Sequence, residues 1–147
     1  MPAKRRSNVS VKRKPGFTVT RISVGDDRLA YAMIADKKLD YPEGRSRVAY
    51  IGTTKKGIFR MTSSIAERAN AILRLHGVES FEVRIITCHR RKHVKMWYKL
   101  EHALLVAFRE LYGAPPRSND QTDGKRAGTV FNYFSRARVK RVLEDLA

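Results

Sequence analysis

The chain has 147 residues, 42% of them apolar, enough for one folded domain with a moderate core and too many for a disordered tail. Lysine and arginine number 31 against 14 acids, a net charge of +17 that opposes compaction unless an anionic partner offsets it. No run reaches the roughly 18 apolar residues that span a bilayer, none follows the cationic N-terminus as in a secretory signal, and the single Cys88 excludes an internal disulfide or a cysteine-rich zinc centre. These features predict a soluble intracellular protein, cytoplasmic or, in a eukaryote, nuclear. They also predict nucleic acid as the partner, and no membrane.

Residues 1–16, MPAKRRSNVSVKRKPG, carry cations and no acid, and read as a flexible basic arm ahead of a single domain over 17–147. FTVTRISV from Phe17, LAYAMIA (29–35) and RVAYIG (47–52) read as three strands. Pro42, Gly44 and the charges of DKKLDYPEGRSR predict a loop longer than a tight hairpin between the last two. Thr62 and Ser63 are N-cap residue types for a helix running to about Leu75, with Ile65, Ala69, Ile72 and Leu73 as its apolar stripe and Gly77 beyond its end. FEVRIITCHR reads as another strand.

MWYKLEHALLVAFRELYG has Trp97, Leu100, Leu104, Phe108 and Leu111 at helical spacing, with Gly113 just past the end. Pro115 and Pro116 force a loop after it. The last segment becomes helical towards its end, where Arg136, Arg138, Lys140 and Arg141 crowd together. The order β-β-β-α-β-α-α predicts an α+β fold, a small mainly antiparallel sheet of three or four strands flanked by helices.

Each residue suited to chemistry has two readings. Glu101, at the margin of an apolar stripe, is either a boundary carboxylate or a hard oxygen ligand of the kind Mg²⁺ takes in ones and twos. Tyr31 and Tyr50, on neighbouring strands, either pack in the core or orient and deprotonate a water. The second role needs a pKa lowered from about 10 by nearby cations or a metal, and Lys55 and Lys56 are placed to supply a cation field. Arg60, before the expected helix start, is a surface cation or a phosphate ligand. His89 and His93 lack a third ligand for zinc.

Together these residues resemble the GIY-YIG nuclease family. Tyr50-Ile51-Gly52 is its second motif as written, and LAYAMI (29–34) resembles the first, with Tyr31 in the tyrosine's place but no glycine. Arg60, eight residues beyond Gly52, resembles the catalytic arginine, and Ser64 stands where many members have histidine. Glu101 resembles the metal-binding glutamate, and Asn119 in YGAPPRSN the polar residue returning to the site. The resemblance covers about residues 28–120. It implies a DNA endonuclease that hydrolyses phosphodiesters with Mg²⁺, or Mn²⁺ in its place. Glu101 would hold the metal, Tyr31 or Tyr50 would handle the water, Arg60 would stabilise the pentacovalent charge and Asn119 would order the site. Lys55, Lys56, Arg90, Arg91, Lys92, Arg136, Arg138, Lys140 and Arg141 would hold the DNA backbone. A module on the same fold that binds DNA or, less expectedly, RNA without activity is the alternative. Oligomeric state leaves no mark in the sequence.

Overall fold

The computed structural model describes residues 7–11, 13, 29–54, 57–75, 77–89 and 91–147, with backbone alone at Leu29 and 57–61. The strand expected at FTVTRISV and most of the basic arm lie outside the described residues, as do Lys55, Lys56 and Arg90. Strands β1 (Leu29–Tyr41), β2 (Gly44–Thr54) and β3 (Phe81–Ile86) form an antiparallel sheet in the order β2-β1-β3. Helices α1 (Gly57–Leu73), α2 (Met96–Tyr112) and α3 (Arg136–Leu146) complete an α+β fold, with a short 3₁₀ turn at Val130–Asn132.

The central strand explains the architecture. Ala30 to Ala35 are all buried, none more than 2% exposed, although successive side chains point to opposite faces. Both faces of β1 are therefore covered, and the run of Ala, Tyr, Met and Ile is the composition that such a strand needs. The amphipathic α2 buries Leu100, Ala103, Leu104, Ala107 and Phe108 in the same core. Gly113 ends this helix in a left-handed conformation, its N–H donating to the Arg109 carbonyl.

Two expectations about boundaries are corrected. The segment after LAYAMIA is not a long loop: both strands run through it to a tight turn at Pro42-Glu43, with Tyr41 paired to Gly44. The strand alternates there, Leu39 and Tyr41 buried against Lys38 and Asp40 exposed. The Tyr41 hydroxyl donates to the Val48 carbonyl at 2.7 Å and accepts from the Arg117 N–H at 3.1 Å, so burial and hydrogen bonding outweigh the polar composition.

Helix α1 begins at Gly57, which places Thr62 and Ser63 inside it instead of at its N-cap. Ile65 and Ile72 face the core, whereas Leu73 is exposed. The helix is fixed by that apolar face, and a capping residue type in mid-sequence does not overrule it.

Candidate active site

The site is built on β1 and β2. Tyr31 pairs with Gly52 and Met33 with Tyr50, so Tyr31, Gly52 and Tyr50 share one face of the sheet. The two rings lie with centroids 6.0 Å apart, tilted by 53°. A Cβ at Gly52 would fall 2.6 Å from Cε1 of Tyr50 and 2.9 Å from both Cζ and Oη of Tyr31. Gly52 is therefore the space that lets the tyrosines converge. It is not where the chain leaves the sheet, since β2 continues to Thr54.

Helix α1 supplies the next layer. Ser64 hydrogen-bonds the Tyr31 hydroxyl, which in turn bonds that of Tyr50. Arg68 sets its guanidinium 4.0 Å from the centre of the Tyr50 ring and donates from Nη1 to the Ser118 carbonyl at 3.0 Å. Arg60 lies in the first turn of α1 and is described in backbone alone; Ser64 and Arg68 follow it at four-residue steps along one helix flank.

The loop after α2 closes the site from the other side. Asn119 embraces the backbone of Ile51, its Oδ1 accepting the Ile51 N–H and its Nδ2 donating to the Ile51 carbonyl, both at 2.9 Å. Nδ2 also donates to Oδ2 of Asp123 at 3.2 Å. Gly124, at φ 77°, brings the loop against α2 so closely that a Cβ would lie 2.4 Å from the Leu105 carbonyl oxygen. Asn119 thus fastens the loop to β2, with both Nδ2 hydrogens donated.

Glu101 on α2 is the carboxylate of this cluster. Burial first, and the charge of Asp123 second, push its pKa up to about 7. Its own charge raises Tyr50, which places both on one small region. Tyr31 is pushed up to about 12, chiefly by burial. Tyr50 is raised by burial too, while the Arg68 guanidinium, the strongest opposing influence, pulls it down. The bond between the hydroxyls favours the phenolate on Tyr50 and disfavours it on Tyr31. Among the described groups desolvation outweighs the cation at both tyrosines, and Lys55 and Lys56, expected to supply a field, lie outside the described residues.

Among the described residues Glu101 has neither an ion-pair nor a hydrogen-bond partner, and no group of three His, Cys, Asp or Glu side chains gathers to hold a metal. A largely buried carboxylate whose charge no described residue offsets suits a divalent cation that takes one or two protein oxygens and completes its shell from water and phosphate. It does not suit a caged zinc. The residues present fit Mg²⁺ or Mn²⁺. No family model, curated protein or solved structure matches the chain.

The expected backbone-binding cations separate into groups. Arg136 and Lys140 both pair with Glu110, Lys140 at 3.1 Å. Burial resists the charge on Glu110, but the hydrogen bonds from its two partners prevail and hold its pKa below the usual carboxylate range. Arg91 and Lys92 project from the turn after β3, and Arg138 and Arg141 from α3, all exposed.

Sequence reading missed Arg68 and Asp123. The four-residue spacing of Arg60, Ser64 and Arg68 was the available signal for the first. Asp123 had no signal, because it joins the site only through the Asn119 loop.

Proposed function

We propose that the chain is a metal-dependent DNA endonuclease with a GIY-YIG-type active site. The observation that carries this reading is the meeting of Tyr31 and Tyr50 over Gly52, with Arg68 against the Tyr50 ring, the charge of Glu101 acting on Tyr50, and Asn119 fastening the loop to β2.

Glu101 would hold Mg²⁺, which when bound supplies Lewis-acid polarisation of the scissile phosphate. Of the two hydroxyls, Tyr50 is the one suited to orient the attacking water and, in its phenolate form, to accept the water's proton, since Arg68 and the bond from Tyr31 both favour that form. Tyr31, protonated at any physiological pH, donates to Tyr50 and receives support from Ser64. Arg60 would stand one turn before Ser64 to receive the phosphate, near the N-terminus of α1 where anions are favoured. The +17 charge supplies the attraction to the DNA backbone.

Purified protein incubated with plasmid DNA and Mg²⁺ should nick or linearise it, and Glu101→Ala should abolish cutting. Cutting unchanged by Glu101→Ala overturns the assignment. The raised pKa values of Tyr31, Tyr50 and Glu101 favour a second reading, a module that binds nucleic acid without cutting it. Salt-sensitive DNA binding with no metal-dependent cleavage would select it.

A further inference from the structure

On another flank of α2 lies a groove of about 430 Å³, between the end of β3, α2 and the start of α3. Its floor is apolar, with Ile86, Leu100, Leu104 and Val142, and Tyr133 and Phe134 add aromatic rings. Among the described residues its charged lining is cationic: Arg91 and Arg138 border it, and no described Asp or Glu does. The ring of Tyr133 has the Lys99 ammonium 4.4 Å and the Arg91 guanidinium 5.5 Å from its centre. Among the described residues Arg91, Lys99 and Arg138 form no ion pair, in contrast to Arg136 and Lys140, which share Glu110.

We infer that this groove receives one unpaired base of a DNA substrate, with the flanking phosphates on Arg91, Lys99 and Arg138. A concave apolar slot with aromatic walls offers nothing to a paired duplex, whose bases are stacked away and whose outer surface is phosphate. An extrahelical base has the planar apolar body to fill it, and carries its own anions to the rim. A volume of about 430 Å³ is within the range of small-ligand sites and admits one nucleotide instead of a helix. The uncompensated rim then serves a purpose: its charge is left for a ligand, whereas a structural cation on the same helix is matched by an acid. The inference rests on nucleic acid as the partner, and not on cleavage.

The test uses the full chain in EDTA, with two labelled duplexes, one fully paired and one carrying a single extrahelical 2-aminopurine. The bulged duplex should bind about fivefold to a hundredfold more tightly, the range expected for stacking one base on aromatic side chains. Its 2-aminopurine emission should fall on binding. Tyr133→Leu and Val142→Trp, the second filling the groove, should each remove the preference while leaving paired-duplex affinity within about twofold. Tyr133→Phe should retain it.

Equal affinities, unquenched emission, or a preference that survives both groove variants would overturn the inference. So would tight binding to phosphatidylglycerol vesicles that Val142→Trp abolishes while binding to the bulged duplex persists. If the groove variants behave as expected and no plasmid is cut with Mg²⁺, the nuclease reading fails alone. If Glu101→Ala abolishes cutting and the groove variants change nothing, the groove inference fails alone.

Discussion

Tyr31 and Tyr50 approach each other across Gly52, where a Cβ would fall 2.6 Å from one ring and 2.9 Å from the other. Gly52 therefore works by subtraction, and the smallest addition tests it. Gly52→Ala is expected to destabilise the fold by about 1–3 kcal/mol, the usual cost of forcing extra volume into packed rings. Chemical denaturation reads that cost. Cleavage should fall further than stability accounts for, because the ring pair itself is displaced; a variant with unchanged midpoint and rate would refute the packing argument.

Glu101 links the site to pH. Its folded pKa, about 7, lies above its ordinary value near 4.5, so between those values the folded chain binds more protons than the unfolded chain. Stability without metal should accordingly fall as pH rises from 4.5 through 7. Glu101→Gln should remove that slope and gain on the order of 2 kcal/mol at pH 8. Metal reverses the situation, since the ion needs the carboxylate ionised: at limiting Mg²⁺, cleavage should rise with pH through about 7. Thermal melts across pH, with and without Mg²⁺, check both halves.

Arg68 holds Tyr50 and the Ser118 carbonyl together with one planar group, a geometry an ammonium does not reproduce. Arg68→Lys should keep the net charge and lower cleavage about tenfold or more, with DNA affinity within about twofold. Initial rates on plasmid measure this. Wild-type rates in the lysine variant would reduce Arg68 to a generic cation.

Much of this was legible in sequence, and the reasons differ by residue. The α+β class followed from the apolar run 29–35 and the stripe of α2, both strong local signals that tertiary contacts only reinforced. The hairpin at Pro42-Glu43 was hidden because turn-forming residues and charges there resemble a loop, although Leu39 and Tyr41 carry the alternation of a strand. Thr62 and Ser63 suggested a helix start where the helix was already in its second turn. Arg68 stood out poorly among 31 cations, and only packing gives it a partner. Asp123 depends on contacts made from a loop far from β2 in sequence, which no local pattern encodes.

Glu110 offers a test of how the basic surface is set. It engages both Arg136 and Lys140, side chains that remain partly exposed, so the ion pairs should be worth no more than about 1 kcal/mol together. Glu110→Ala should barely move the melting temperature. It should strengthen non-specific DNA binding and steepen its salt dependence by about one to two phosphates' worth of counterions, as two released cations find backbone. A salt slope identical to wild type would show that these residues do not face the DNA.

The clasp between Asn119 and Ile51 has a consequence for how the protein comes into being. Its partners are 68 positions apart, and Tyr41 reaches 76 positions forward to Arg117, whereas the β1–β2 hairpin closes over a two-residue turn. Local closures are fast and distant ones slow, so the tyrosines are expected to meet early in folding while the polar frame around them waits for residues 117–123. A chain still emerging from the ribosome would carry the paired rings and Arg68 but neither Asn119 nor Asp123. The frame around the tyrosines would close only once residues 117–123 have emerged.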